Sequence, residues 1–294
     1  MKIDYVNQHG KKVEAHILGI GQPPPAAGLV AGMPNEQYHA IDAANNTRLK
    51  IDSQLKLWYK AQQGDKDTPA KKIGRAVHTL ILEPGEFAKR YAMPLPHGRR
   101  SKVDKAAWEA WEAKCSAAGL ELMSQDDWDQ AHEIAKGALA YQMCQDLRDA
   151  EGPVEVSFFW WDEATELVCK GRADKLVDLN GLGYDIKTSA APIDRFGQEA
   201  AKYDYPRQAM HYLEGLRECG RNVVDFRFLV VEKSEPYECG LQWFLPGDMD
   251  RAYTENVLAR ERYRMLCDQP QLDIRTVTSG PVDLPYWYRN REIE

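Results

Sequence analysis

Cys169-Lys170-Gly171-Arg172-Ala173-Asp174-Lys175-Leu176 and, shortly after it, Tyr184-Asp185-Ile186-Lys187-Thr188 are the stretches on which the fold turns. Both read as strands, and residues 180–183 between them read as a turn. Side chains two apart on a strand point to one face, so Asp185 and Lys187 share a face while Ile186 points to the other. A carboxylate with an ammonium two residues on can hold a hard divalent cation and polarise a water. Asp174, delivered by the preceding strand, is the second carboxylate. Magnesium prefers one or two carboxylates together with water and phosphate oxygens, so this set suits phosphodiester hydrolysis. The register is a difficulty. With a tight turn at 180–183, Asp174 falls opposite Ser189, too far from Asp185 for one metal at about 3.3 Å per residue. A bend or bulge is therefore expected, with Gly171 the natural place for it.

Outward from this pair, residues 153–162 read as a further strand that precedes it. Upstream, 45–62, 71–83, 103–118 and 125–148 have helical spacing. Asn46 or Thr47 is a possible cap for the first of these, a polar loop follows at 63–70, and Pro84 stops the second. Downstream come a helix at 196–219, a buried strand at 223–231, a partner strand at 238–245, and a charged, exposed helix at 247–267. This order predicts an α/β domain with a mixed central β-sheet flanked by helices. Residues 1–32 end in GQPPPAAGLVAG and read as an arm or linker, leaving 33–294 as the domain.

The bulk numbers restrict the class. The chain has 294 residues, 44% hydrophobic and 28% charged, ordinary for a globular protein with an adequate core. The six cysteines, at 115, 144, 169, 219, 239 and 267, show no C-x-x-C spacing, so neither a zinc ribbon nor a redox pair of that kind is indicated. Buried free thiols in a reducing cytoplasm are the expectation. The N-terminus lacks the apolar run of a signal peptide, and no stretch approaches the roughly 20 apolar residues of a membrane span. A net charge of −7 argues against binding nucleic acid over the whole surface, but not against a local basic groove beside an acidic metal site.

Further residues fit the same chemistry. His78, in a small-residue helix, is a candidate metal ligand through neutral imidazole, and Glu155 on the first strand is a candidate for a second metal. Gln208 and Tyr212 lie four apart on one helix face, where they can position a phosphate or a base. Arg48, Lys50, Arg172 and Arg207 are candidate phosphate contacts. Taken singly, each has a plainer explanation: a surface ion pair for D-x-K, a hydrogen-bonded core histidine for His78, solvated charge for the rest. Together, in chain order, they point to a nuclease.

Asn35-Glu36-Gln37-Tyr38-His39, GRAVHTLILEPGEFAKRY, EVSFFWWDE, CKGRADKL, YDIKTSA and YPRQAMHYLEG together resemble the RecE-type (exonuclease VIII) nuclease domain of the PD-(D/E)xK superfamily. The resemblance spans roughly residues 33–290, since its motifs fall in order at compatible distances. It implies the restriction-endonuclease-like fold. It also implies that Asp174, Asp185 and the Ile186 carbonyl bind magnesium (or manganese), with His78 or Glu155 completing the site. Lys187 is then the catalytic lysine, and Gln208 and Tyr212 form the downstream Q-x-x-x-Y motif. The superfamily usually has Glu at the position of Asp185, and the RecE-type branch resembles this chain in using Asp. The family degrades duplex DNA from ends, 5′ to 3′, as a homo-oligomeric ring, often beside a RecT-type single-strand annealing protein in phage-type recombination. The competing expectations are a single-strand or nicking nuclease of the same fold, and a DNA-binding or phage assembly protein that kept the fold without the chemistry.

Overall fold

The computed structural model describes residues 2–6, 12–16, 28–63, 68–177 and 181–268. Much of the Pro/Gly/Ala stretch, residues 64–67 of the polar loop, Asn180 of the expected turn and everything after 268 lie outside these residues. Two short strands, β1 (Lys2–Val6) and β2 (Lys12–His16), pair with each other, and β3 (Gly28–Ala31) follows. Then come α1 (Asn35–Ala40), α2 (Gln54–Gln63), α3 (Pro69–Leu82), α4 (Phe87–Arg90), β4 (Tyr91–Ala92), α5 (Lys102–Ala117), β5 (Glu121–Leu122), α6 (Gln125–Leu139) and α7 (Gln142–Asp149). The strands β6 (Val154–Asp162), β7 (Leu167–Val177) and β8 (Leu182–Ser189) run consecutively. The chain then crosses over through α8 (Phe196–Tyr203) and α9 (Tyr205–Glu218) to β9 (Asp225–Glu232), β10 (Cys239–Gln242) and α10 (Pro246–Asp268).

Six strands form the central sheet in the order β10-β9-β8-β7-β6-β3. Neighbours are antiparallel except β8 and β9, which run parallel because the α8–α9 crossover separates them. The sheet is mixed and flanked by helices, as the predicted α/β class requires and as the restriction-endonuclease-like fold is built. Alternation along β9 shows why both faces are covered: Leu229 and Val231 join the core under α3, α6 and α7, while Phe226, Phe228 and Val230 join the core under α9 and α10. No helix of the described residues is long and apolar enough to cross a membrane.

The structure differs from the sequence expectations where side chains override periodicity. Residues 45–62 do not form one helix: Asn45 accepts from the Arg48 amide (2.8 Å), a short 3₁₀ turn follows, and Ile51 is extended and buried before α2 begins. The helix expected over 196–219 breaks at Asp204, whose backbone is left-handed (φ 54°, ψ 46°), since Pro206 can occupy only the first turn of a new helix. That expected over 125–148 breaks at Tyr141, whose backbone is extended. The last helix is not wholly exposed: Ala252, Asn256, Ala259, Arg260 and Tyr263 are buried, and Arg260 pairs with Glu214 of α9 at 3.1 Å. Strand β3, read as part of the arm, is the edge strand of the central sheet, with Leu29 opposite Phe158.

Gly171 also differs from expectation. It is no bulge, for it sits in regular pairing opposite Phe158. It is small because a side chain there would overlap the Phe158 ring and press on Tyr212. Gly171→Ala is therefore expected to cost about 1–3 kcal/mol through overpacking, read as a lower urea midpoint at unchanged slope. An unchanged midpoint would mean that the two rings give way freely.

Candidate active site

The site grows out of the place where β7 and β8 part. Lys175 faces Tyr184, Leu176 faces Gly183 and Val177 faces Leu182, and the pairing stops there. This register is centred two residues earlier than the expected turn at 180–183, and its next pair sets Asp174 opposite Asp185 without any bulge in β7. Its continuation would next join Ile186 to Ala173, but the Ile186 amide donates instead to Asp174 Oδ2 at 2.6 Å. In an extended strand the N–H and C=O of one residue project to the same edge, so the Ile186 carbonyl is directed into the fork as well. Past the fork, β7 takes another partner. The Ala44 amide donates to the Val168 carbonyl (2.8 Å) and the Ala44 carbonyl accepts from the Lys170 amide (2.7 Å).

Two groups of side chains meet at this fork. Asp174 lies 3.1 Å from Nδ1 of His78 on α3, and the ligating atoms of His78, Glu155 and Asp174 all lie within 4.8 Å of one another. Asp185 accepts from Gln208 Nε2 of α9 at 3.0 Å through Oδ1, and its Oδ2 forms an ion pair with Lys187. The Lys187 ammonium stands over the Tyr205 ring, 4.8 Å from its centre. Tyr212 packs edge-on against Phe158 and Phe226, one helical turn from Gln208. The i, i+2 and i, i+4 spacings read from the sequence thus bring together Asp185 with Lys187, and Gln208 with Tyr212.

Burial shapes the charges. Asp174 and Asp185 are only 7% and 5% exposed. Burial pushes Asp185 up to about 6 against the pull of Lys187, and the neighbouring Asp174 carboxylate adds to the rise. Burial opposes the charged form of Asp174 too, but the His78 imidazolium and the Ile186 amide outweigh it and hold its carboxyl below the usual range. For His78 the same balance runs the other way: burial disfavours its charge, yet Asp174, Asp185 and Glu155 push it up to about 9. A cation held by Asp174 would compete with that proton. The donor set, an imidazole nitrogen and convergent carboxylates, fits a divalent ion bound through nitrogen and oxygen.

Glu155 reaches this cluster by an unusual route. Its φ is +52° inside β6, a conformation that costs a non-glycine residue about 1–3 kcal/mol and is found where a site needs it. The candidate phosphate contacts divide. Lys50 and Arg207 each lie 3.9 Å from Asp204 at the α8–α9 corner, and Arg207 is clamped by Asn256, which accepts from its Nε (3.1 Å) and donates to its carbonyl (2.9 Å). Arg48 is paired with Asp42. Arg172 turns inward, to Glu155 and the Met33 carbonyl, rather than outward to the rim. Sequence reasoning missed Tyr205, Asp204 and Asn256. The Pro206 that follows Tyr205 was the available signal for the first two, whereas Asn256 shows itself only once α10 is laid on α9.

Residues 51–264 match a family described as PDDEXK-like domain of unknown function (DUF3799). No curated protein matches the chain. Among solved structures, an exonuclease candidate from Eubacterium rectale aligns with a TM-score of 0.56 at 13% identity, covering 89% of this chain and 99% of that one. A Vibrio cholerae protein aligns with a TM-score of 0.22 at 12% identity, covering 82% of this chain and 58% of that one. The first likeness is one of fold.

Gln208 is the neutral donor that fixes Asp185, so Gln208→Ala should lower turnover by roughly tenfold to a hundredfold while the melting temperature changes little. Steady-state rates beside a thermal melt check it, and wild-type turnover in the variant would remove Gln208 from the site.

Proposed function

We propose that this chain, which belongs to the PDDEXK-like domain family (DUF3799), is a divalent-metal-dependent deoxyribonuclease. The observation that carries the reading is the fork itself: two buried carboxylates from adjacent strands, with a lysine ion-paired to one of them, at the only point where β7 and β8 separate among the described residues. Asp174, Asp185 and the Ile186 carbonyl would hold the ion, with His78 or Glu155 completing the set. Magnesium, or manganese in its place, would polarise a phosphate oxygen and supply a water nucleophile near neutral pH.

The remaining residues act on the substrate and on one another. Lys187 is kept charged by Asp185 against partial burial, and its ammonium would offset negative charge that develops on the phosphate. Gln208 holds Asp185 in place, and Tyr212, one helical turn on, packs beside it. Lys50 and Arg207 would bind the DNA backbone beside the scissile bond, and Arg48 would be a further phosphate contact. Duplex DNA attacked from its ends, 5′ to 3′, by a homo-oligomeric ring working beside a RecT-type annealing protein is the finer reading. It rests on the sequence resemblance; the name of the exonuclease candidate of similar fold lends support to attack from ends and to nothing finer. A ring also suits a chain of net charge −7, which would hold DNA poorly by diffuse attraction.

Release of nucleotides from linear and from covalently closed duplex, with magnesium or with chelator, tests the reading. Magnesium-dependent degradation of linear DNA alone is the expected result. Closed circles cut as fast as linear DNA would overturn the end requirement, and no magnesium-dependent cleavage of either would overturn the nuclease. Lys187→Ala should reduce turnover by about a hundredfold or more while duplex binding persists. For the rim, Lys50→Ala and Arg207→Ala should each weaken duplex binding without regard to sequence, and each should reduce the slope of log affinity against log salt by about 1.

A further inference from the structure

Arg172 is two residues from Asp174 on β7, yet its guanidinium is committed away from solvent on three sides. Nε donates to Glu155 Oε2 at 2.6 Å, Nη2 donates to the Met33 carbonyl at 2.8 Å, and the group lies 5.6 Å from the centre of the Tyr38 ring. The platform beneath it is rigid. The Lys170 ammonium sits over the same Tyr38 ring and donates to the Tyr38 and Ile41 carbonyls, both at 2.7 Å. Glu155 is constrained from its other end, since its left-handed backbone is braced by the Gly32 amide, which donates to its carbonyl at 3.3 Å. The carboxylate is therefore held at both ends, and the direction in which it is held is toward His78 and Asp174.

We propose that Arg172 is a positioning residue of the metal site: braced on Met33 and Tyr38, its guanidinium fixes Glu155 Oε2 and so leaves the other oxygen of Glu155 aimed at the cation. The inference rests on the nuclease reading and deepens it, by adding a residue that touches neither substrate nor metal. Its sign is diagnostic. A cation near a guanidinium is repelled by it, so a purely coulombic Arg172 would weaken metal binding, and its removal would strengthen that binding. An Arg172 that orients a ligand has the opposite effect: without it Glu155 is free to turn away, and affinity falls. A planar fork is what this role requires, because two bonds in fixed directions are made to two different elements.

Manganese titrated calorimetrically into the full chain decides between them, with thermal melts on the same preparations. Arg172→Gln is expected to weaken manganese binding by about tenfold or more, and Glu155→Gln to weaken it similarly. In the double variant the Arg172 change should add nothing to the Glu155 change, which a merely structural role would not reproduce. Arg172→Lys keeps the charge but not the fork; it should also bind less tightly, and it carries the comparison if Arg172→Gln does not fold. Unchanged or tighter binding in the folded Arg172 variant overturns the proposal, and so does a loss that persists in full on the Glu155→Gln background. If the parent chain binds manganese and degrades DNA while the Arg172 variant binds equally well, only this inference falls. If the parent chain binds no manganese, the nuclease reading falls with it.

Discussion

The hydrogen bond from the Ile186 amide to the Asp174 carboxylate is the constraint on which the rest of the structure depends. It takes the place of a ladder bond, and so it ends the pairing of β7 with β8 at one defined residue. Three things follow from that ending. Two acids that antiparallel pairing sets opposite each other are left at a fork between their strands. The Ile186 carbonyl loses a strand partner and becomes available to a ligand. The far half of β7 is freed to bond the Ala44 segment. Two buried carboxylates side by side would otherwise be costly; the arrangement persists because His78 stands against one and Lys187 against the other.

Much of this chemistry was legible in the sequence because it is local. The period of a strand was enough to put Asp185 and Lys187 on one face, and the period of a helix was enough to align Gln208 with Tyr212. What was not legible depends on the connection between elements. The expected turn at 180–183 placed Asp174 against the wrong residue, whereas the observed pairing is centred two residues earlier and puts Asp174 opposite Asp185 without any bulge. Gly171 was rightly singled out, but for a conformational reason when the real one is steric: two aromatic rings occupy the space of its side chain. Arg172 looked like a surface cation because nothing in its neighbourhood in the chain reveals Met33 and Tyr38, which approach it from more than a hundred residues upstream.

The charge distribution reconciles an acidic chain with a polyanionic substrate. Lys50 and Arg207 are gathered around a single carboxylate, Asp204, at the corner where α8 hands over to α9. The left-handed backbone of Asp204 and the following Pro206 make that corner sharp, and the buried Asn256 of α10 ties Arg207 to it from the opposite side. On the proposed reading, a few fixed cations beside the fork would do what an overall positive charge would do less selectively.

The segment between β3 and Ala44 lies wholly before the residues that match the family, yet it is stitched into the sheet at both ends. A protein trimmed to the matched residues would expose the edge of β6 and leave the Val168 and Lys170 peptide groups without their partner. It would also strand the Lys170 ammonium, 1% exposed, beside carbonyls that no longer exist. The segment matched by the family model is therefore shorter at its front than the sheet it belongs to: a version of the chain meant to keep that sheet whole has to begin no later than β3.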